Sequence, residues 1–348
     1  MGPRHAPSRF MSIPGTTVFR GTLLATLGGL LLPLGAAPGG GPERFAFRYP
    51  ADRPLRYAMA VNMTADMAMK GDAQSTDLKM TVALRYHVRL VPAGPARDGL
   101  QTLRLEPSDV EGDWDIDSGS GHTAIALRGA EMTGTHDGTV VIDTAHGIGA
   151  EQAGELQRQI QPLSLQGEVV LDRRGLAREF HGAPAFVEFW TEAMASQTGF
   201  WGIVFPEHAV AVGDTWQEQL TLKKMGQIRL EGGALQCAVT FARQPDVVGA
   251  GGQLATFALS APFSRQGLNG VLEQMGQGVP VHLARFDRRA PGTAHFDSAR
   301  GRLTDSTLTA DADATMRLDG PDQSVTMDVK LGLTTTANLL PDQTAAAR

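Results

Sequence analysis

Three aspartates at alternate positions are the residues of this chain best suited to hold a cation. They stand in the run Asp113-Trp-Asp115-Ile-Asp117, and calcium loops also carry carboxylates at alternate positions. Such a loop has Gly at its sixth position and Glu at its twelfth, whereas Ser118 and Ala124 stand at those positions here. We therefore favour a solvated strand edge, whose aspartates discourage pairing with another strand, and keep a calcium site as the alternative.

Methionines are concentrated in one short part of the chain. Met59, Met63, Met67 and Met69 share one face if residues 57–69 form a strand, and Met80 joins that face from the next strand. Thioether sulfurs select copper(I), but no His or Cys stands nearby to complete a copper site. Met also adapts to varied apolar partners. The face therefore predicts either a groove for a lipid or other hydrophobic ligand, or a core closed by the protein's own helices.

The candidate ligand-binding residues combine this face with two aromatic side chains of a predicted helix. They are Met59, Met63, Met67, Met80, Leu84, Phe186 and Trp190.

Motifs of catalysis and cofactor binding are missing from the sequence. It holds no G-x-S-x-G elbow, no P-loop, no H-E-x-x-H pair and no paired Cys motif. The single cysteine, Cys237, excludes an internal disulfide and a Cys-based zinc site. Its strand-like neighbours Val239 and Phe241 indicate a buried, inert thiol. We therefore predict a non-catalytic protein with no cofactor.

Two long alternating segments position the methionines. Residues 57–69 carry apolar side chains at every odd position and residues 78–90 at every even position, which predicts two strands with one apolar face each. At about 3.4 Å per residue each strand is roughly 44 Å long, about twice the usual length. A hairpin of this size needs a helix layer, a second sheet or a ligand to cover it.

Helical signals are fewer than strand signals. Residues 150–160 are rich in helix formers. Pro184–Ser196 begins with Pro and places Phe186, Phe189 and Trp190 on one apolar stripe. Residues 266–276 are a weaker third candidate. The sequence therefore predicts two or three helices among many strands.

A strand that ends in Asp and is followed by Gly recurs at 138–147, 167–175 and 292–301. We interpret each copy as a hairpin corner, because Asp and Gly are the residues that such turns require. The recurrence also suggests two related halves, 43–204 and 205–340, followed by a tail at 341–348.

The first residues have the pattern of a secretory signal peptide. Three arginines give a basic start with no acid before Glu43, and residues 21–34 are apolar but too short and too broken by Gly and Pro to span a membrane. We predict cleavage after residue 37, with Met1 or Met11 as the start, and export to the periplasm or exterior of a bacterial cell. An uncleaved membrane anchor is the alternative.

The charge of the mature chain limits its partners. Removal of the leader leaves 28 Lys and Arg side chains against 37 Asp and Glu, a formal charge of −9. This balance disfavours nucleic acid and anionic membrane surfaces as partners. No segment after the leader is apolar enough to span a bilayer.

One segment resembles a family of secreted bacterial proteins defined by a domain of unknown function. Pro206 precedes the run VAVGDTW at residues 210–216, which matches the family pattern V-x-V-G-D-x-W, and an earlier strand ends D-x-x-G at Asp172 and Gly175. The likeness follows the order of elements over most of the mature chain. The general plan also resembles LolA/LppX-type envelope proteins, which implies a curved antiparallel sheet that wraps helices and holds a lipid chain.

The residues of the same segment have a structural interpretation of their own. Gly213 and Asp214 predict a turn that leads into a strand, and Trp216 is expected to anchor that strand in the core.

Together these observations predict a mainly β (α+β) fold with large, curved antiparallel sheets built from long hairpins, two or three packed helices and two similar halves. The expected function is that of an exported, non-catalytic envelope protein that binds a lipid or other hydrophobic ligand in an apolar groove. The alternative is a structural or interaction protein of the cell envelope with a self-filled core and no small ligand.

Overall fold

The computed structural model describes residues 41–50, 53–71, 75–195, 200–222, 224–225, 228–232, 235–249, 252–274, 277–319 and 324–341. Most of these residues belong to one hydrogen-bonded antiparallel sheet. The predicted signal peptide and the tail after Pro341 lie outside the described residues.

The sheet is built from strands of two consecutive parts of the chain. Those of the first part are β1 (Leu55–Lys70), β2 (Ser75–Pro92), β3 (Leu100–Ser118), β4 (Gly121–Arg128), β5 (Glu131–His136), β6 (Thr139–Asp143), β7 (Gly167–Asp172) and β8 (Ala177–Gly182). Those of the second part are β9 (Thr215–Leu222), β10 (Lys224–Met225), β11 (Ile228–Leu230), β12 (Leu235–Gly249), β13 (Gly252–Ser260), β14 (Phe263–Gln274), β15 (Gln277–Arg289), β16 (Pro291–Asp297), β17 (Arg302–Asp319) and β18 (Ser324–Leu339). The α-helices of the described chain are α1 (Ala150–Ile160) and α2 (Pro184–Ala195).

The long hairpin predicted from the alternation is formed by β1 and β2. Their register pairs Leu55 with Leu90 and Lys70 with Ser75, so they run side by side over the whole length of β1. The odd residues of β1 and the even residues of β2 are mostly buried, and the residues between them are mostly exposed or half-buried. The prediction of two long strands with one apolar face each is confirmed.

Five long strands form the centre of the sheet, which we call the spine. Its order is β3-β2-β1-β18-β17, and each strand is 16 to 19 residues long. Since β1 pairs with β2 on one side and with β18 on the other, the two predicted halves of the chain share one sheet. The boundary between those halves stays a prediction.

The spine forks at both of its outer strands. Residues 100–105 of β3 pair with β7, whereas residues 111–118 pair with β4. Between them Asp109 has a φ of 54°, and the register of β2 against β3 shifts, as at a β-bulge. In the same way residues 302–308 of β17 pair with β16, and residues 311–318 pair with β15. The sheet therefore continues into different strands at its two ends. We call the end where β1 begins the aromatic end and the end where β1 finishes the methionine end.

The helix predictions are confirmed in two places and wrong in a third. α1 spans the predicted residues, and α2 begins at Pro184 as predicted. The third candidate, residues 266–276, falls largely in strand β14, which pairs with β11 and β15. Gly267 and Gly270 each weaken a helix by about 1 kcal/mol. A Cβ at Gly270 would lie 2.6 Å from Ile228 of β11, so strand pairing needs glycine at this position. The described fold is therefore mostly β with two helices, and the prediction of an α+β class with up to three helices is wrong.

The recurring Asp and Gly pattern forms turns in the structure. Asp172 Oδ1 accepts the backbone N–H of Arg174 at 2.9 Å, and Gly175 follows with a φ of 94°. Asp297 Oδ1 accepts the backbone N–H of Arg300, also at 2.9 Å. These contacts confirm the second and third copies as hairpin corners. The first copy is not one, because Asp143 caps the 3₁₀ turn Thr144–His146, which leads on to α1.

The aromatic end is filled by rings of the protein itself. Phe205 lies at the centre, with ring centroids 5.6 Å from Phe45, 5.2 Å from Phe47, 5.2 Å from Phe257 and 4.8 Å from Phe296. All five side chains are buried. Most of these contacts are tilted or edge-to-face, the arrangements that aromatic pairs prefer. This end of the sheet therefore has a self-filled core.

The turn before β9 and the role of Trp216 agree with the sequence. Gly213 has a φ of 95°, and Asp214 Oδ2 accepts the backbone N–H of Ala211 at 2.8 Å. Trp216 is buried, its Nε1 donates to the carbonyl oxygen of Val204 at 2.8 Å, and its ring stacks on Phe241. The prediction of a turn leading into a strand anchored by Trp216 is confirmed.

Candidate ligand-binding site

The inner face of the methionine end brings three candidate residues together. Met63, Met67 and Met80 are 2%, 5% and 4% exposed. Met80 pairs with Ala65, which lies between Met63 and Met67 on the same face of β1. Because directly paired residues of a sheet point to the same side, the three thioethers form one group.

Two further candidates extend this inner face toward the aromatic end. Leu84 is buried and pairs with Val61, and Met59 is half-buried and pairs with Tyr86. The hairpin thus brings all five of its candidate residues onto one continuous apolar surface.

The helix residues Phe186 and Trp190 lie elsewhere. α2 packs on β8, on β9 and on the 3₁₀ turn Gln161–Leu163. Phe186 is buried and Trp190 half-buried, and the rings of both pack against Phe180 of β8. Neither side chain is therefore placed with the methionines.

A chain of ring contacts shows which end of the sheet α2 belongs to. Trp190 stacks on Phe200, Phe200 meets Trp201 edge-on, and Trp201 lies 4.3 Å from the ring of Tyr57, near the start of β1. Met67 stands ten residues later in β1, about 34 Å away along the strand. The predicted site is thus divided between the two ends of the sheet.

A single row of paired residues crosses the inner face at the methionine end. Arg288 of β15 pairs with Ala312 of β17, Ala312 with Leu331 of β18, Leu331 with Ala65 of β1, and Ala65 with Met80 of β2. Neighbouring strands lie about 4.8 Å apart, so the four steps of this Arg288–Met80 row span about 19 Å. Two of the three residues between Arg288 and Met80 are alanines, so most side chains in the middle of the row are short.

Arg288 is a buried cation without a partner of its own. The residue is 3% exposed, and within the described part of the chain its Nε and Nη2 atoms have no hydrogen-bond partner. Burial lowers the pKa of the guanidinium to about 10, and no acidic side chain opposes this effect. Since an arginine stays protonated at neutral pH, Arg288 places an unpaired positive charge on an apolar surface, which costs several kcal/mol.

The residues paired with Arg288 on the inner face, Phe263 and Ala312, are apolar. Phe263 pairs with it from β14, and the guanidinium of Arg265 lies 5.4 Å from the Phe263 ring centroid. Burial raises the pKa of the Cys237 thiol, although the charges of Arg288 and Arg265 oppose the rise. Cys237 is buried, and a thiol with a raised pKa is unreactive at neutral pH, as the sequence predicts.

A recess of about 530 Å³ opens at the same corner of the sheet. Phe263 and Arg288 contribute to its lining, and most of the rest is charged side chains of the outer face: Arg285, Arg289, Asp287, Asp311 and Asp313. The recess therefore brings open space next to residues that are otherwise buried.

The three aspartates of the calcium hypothesis lie in a paired strand. Residues 111–118 of β3 pair with β2 and with β4, so the predicted strand edge is wrong, although the carboxylates are solvated. The pairing partner β4 is a short strand that follows a Ser and Gly turn. Asp113 is used in an ion pair with Arg128 at 2.6 Å.

Asp115 and Asp117 meet His122 on the outer face of β3 and β4. One ligand atom from each of the three side chains lies within 4.8 Å of the other two. The imidazole Nδ1 is 2.8 Å from Asp117 Oδ1, and this contact raises the pKa of His122. All three side chains are exposed, and the carboxylates stand in a row along a strand instead of surrounding a point as in a calcium loop. The arrangement is therefore that of a surface ion-pair group.

The described helices are too short and too polar to cross a membrane.

Comparisons with known proteins show only distant likenesses. No protein-family model matches the chain, and no curated protein matches it.

Among solved structures, a lipovitellin from work on lipid–protein interactions is 8% identical over 83% of this chain, with a TM-score of 0.37. The match covers 25% of the lipovitellin chain, so this protein spans about a quarter of that length. The β domain of the Bordetella autotransporter BrkA is 9% identical over 82% of this chain and 99% of its own, with a TM-score of 0.26. The translocator domain of the autotransporter NalP from Neisseria meningitidis is 6% identical over 82% and 88%, with a TM-score of 0.19. Scores this low support no argument about function.

Proposed function

We propose that this protein is an exported, non-catalytic protein that binds a single-chain hydrophobic ligand on the inner face of its methionine end. The observation that carries the proposal is the Arg288–Met80 row with the methionines beside it. From Ala312 to Met80 the row is apolar over three strand spacings, about 14 Å, and α1 and α2 have their main packing partners elsewhere.

The residue types at this face suit a ligand better than a fixed core. Met63, Met67 and Met80 have flexible thioether side chains that repack around partners of different shape. The aromatic end is filled by rigid rings instead. Export through the predicted signal peptide is part of the same proposal, because a periplasmic protein meets lipids of the envelope.

The experiment tests whether the purified chain holds and takes up hydrophobic molecules. Native mass spectrometry reports lipids that copurify, and a dye that fluoresces in apolar surroundings reports uptake after delipidation. We expect copurified lipid or saturable dye binding. A protein that shows neither has the self-filled core of a structural protein, and the proposal fails.

A matched pair of variants places the binding on the inner face. Met80 and Thr81 are neighbours in β2, but Met80 is buried and Thr81 is exposed. Met80→Trp fills the inner face and is expected to weaken dye binding at least fivefold, whereas Thr81→Trp leaves it unchanged. If Met80→Trp does not fold, Ala312→Leu is a milder way to fill the same row. Equal dye binding by the inner-face and outer-face variants would contradict the location.

A further inference from the structure

The sheet brings two distant methionines beside the one that stands near the end of β1. Met327 of β18 pairs directly with Met69 of β1 on one side and with Met316 of β17 on the other. Directly paired residues point to the same side of a sheet, with Cβ atoms about 5 Å apart. The three side chains are therefore neighbours on the inner face, and we call them the thioether row.

The thioether row is accessible from solvent, unlike the methionines deeper in the face. Met69, Met327 and Met316 are half-buried, whereas Met63 and Met67 are 2% and 5% exposed. The row also lies near the rim of the sheet, since β1 ends one residue after Met69 and β18 begins three residues before Met327. A small ion can reach the three sulfurs without a preformed cavity, because flexible thioether side chains close around it.

The residue type of the row selects one kind of ion. Soft thioether ligands favour copper(I), whereas magnesium, calcium and manganese prefer oxygen ligands. On either side of the row the paired residues are Thr76 of β2 and Leu283 of β15, which carry no charge. The methionines of β1 and β2 alone lack ligands to complete a copper site, and strands β18 and β17 supply two more thioethers.

We propose that Met69, Met327 and Met316 form a binding site for a soft monovalent metal ion of the class of copper(I). The site goes beyond the binding of a hydrophobic ligand and does not depend on it. A protein that takes up no dye but binds the ion would refute the proposed function and leave the metal site standing.

The charges near the row do not compete with a cation. Lys70, Asp328 and Arg317 are next to members of the row in sequence, but they are exposed and alternate with it onto the outer face. Lys70 and Asp328 also form an ion pair at 3.7 Å. The predicted mature chain carries an excess of acidic side chains, which attracts cations to the protein as a whole.

Silver(I) is the probe, because it is soft, has the charge of copper(I) and is stable in air. Isothermal titration calorimetry of the purified chain in chloride-free buffer measures its affinity and stoichiometry. We expect one tight site per chain, and X-ray absorption of the silver-loaded protein should show sulfur neighbours. A protein that binds no silver(I), or an ion with only nitrogen and oxygen neighbours, would overturn the proposal.

Two conditions distinguish thioethers from other ligands. A thioether has no proton to lose, so the affinity should be equal at pH 5 and pH 8, whereas an imidazole site weakens as the pH falls through about 6.5. Excess zinc(II) should not displace silver(I), because zinc is bound by imidazole, thiolate and carboxylate groups. Weaker binding at pH 5 or displacement by zinc would place the ion at a group such as His122 with Asp115 and Asp117, and the assignment would fail.

Variants connect the binding to the row. Met327→Leu removes the central sulfur at nearly constant volume, and it should weaken silver(I) binding by about tenfold or more. Met316→Leu should act in the same direction, which keeps the test valid if Met327→Leu does not fold. Met59→Leu is the matched control, because Met59 is half-buried on the same face of β1 but outside the row, and it should leave the affinity unchanged.

The single described thiol provides the last control. Cys237→Ala should bind silver(I) as tightly as the parent protein, because Cys237 is buried in another part of the sheet, where β12 pairs with β9. Loss of binding in Cys237→Ala, or equal losses in Met327→Leu and Met59→Leu, would overturn the assignment to the thioether row.

Discussion

Two arginines of this protein are equally buried but differ in what surrounds them. Arg243 of β12 is 4% exposed, forms an ion pair with Asp246, and lies 5.3 Å from the ring centroids of both Phe45 and Phe257. Arg288 is 3% exposed, and among the described residues its Nε and Nη2 atoms have no hydrogen-bond partner. The described part of the chain thus supplies an acid and two rings for one buried charge, and neither an ion-pair partner nor a hydrogen bond for the Nε and Nη2 atoms of the other.

The same contrast separates the two ends of the sheet. The aromatic end is closed by segments that the chain folds into it, with rings packed on Phe205. The inner face of the methionine end consists of strand residues, several of them Met or Ala, around one arginine. A core packed with rigid rings and a buried face of Met and Ala side chains therefore exist in one continuous sheet. We therefore expect the methionine end to tolerate substitution better than the aromatic end.

The largest expected difference between the ends is in their tolerance of substitution. Phe205→Ala should lower the free energy of unfolding by about 3–5 kcal/mol, because the ring is fully buried and its rigid neighbours cannot close the cavity. Met63→Leu should cost less than about 1.5 kcal/mol, because it conserves volume on an adaptable face. Denaturant unfolding measures both.

Phe205→Leu provides the control for the size of the substitution. It should cost clearly more than Met63→Leu, because it removes ring contacts with four neighbours. Equal costs for these two variants would show that the methionine end is packed as rigidly as the aromatic end.

A second prediction concerns the two arginines, whose removal should have opposite signs. Arg243→Met should destabilise the protein by about 2–3 kcal/mol, since it leaves the Asp246 carboxylate without its partner. Arg288→Met should stabilise the ligand-free protein by about 1–3 kcal/mol, because it replaces an unpaired buried charge with an apolar side chain. Thermal unfolding of delipidated protein measures both. A loss of stability in Arg288→Met would indicate a structural role for this guanidinium.

The sequence predicts the spine of the sheet well because its strands are long and alternate strictly. Apolar side chains at every second position over thirteen residues fit a strand with one apolar face and do not fit a helix, whose period is 3.6 residues. The turns at Asp172 and Asp297 and the anchor at Trp216 are predictable for a similar reason, since each depends on local residue chemistry.

The candidate site is only partly predictable, because it depends on pairing between distant strands. The methionines are adjacent in sequence, so their grouping follows from the hairpin alone. Arg288 reaches Met80 only through β17, β18 and β1, and no local pattern gives that order. The sequence holds one sign that Arg288 is buried. It alternates with the apolar residues Phe286 and Ala290, which share its buried face, but Asp287 and Arg289 between them make the segment look uniformly charged. The strand at 266–276 was missed because its apolar spacing also fits a helix.

The smallest effect we predict is a loss of stability in alkali that arises in the aromatic half of the spine. Burial raises the pKa of Tyr86 to about 12 and also raises the pKa values of Tyr49 and Tyr57. An unfolded tyrosine loses its proton near pH 10. The buried tyrosines therefore favour the folded state fully below pH 10, and this contribution is lost as the pH rises through about 12. The expected loss at pH 11 is about 1.4 kcal/mol for each tyrosine.

Tyr86→Phe tests this origin, because it keeps the buried ring and removes the ionisable hydroxyl. The free energy of unfolding of this variant should fall less between pH 9 and pH 11 than that of the parent protein, by about 1.4 kcal/mol. Hydrogen exchange at pH 11 should also accelerate in the first half of β1, near Tyr57, before it accelerates around Met67. Two results would contradict this origin: an unchanged pH dependence in Tyr86→Phe, or faster exchange at the methionine end. Either would mean that alkali acts on the inner face around Arg288 and Cys237, since burial also raises the pKa of the Cys237 thiol.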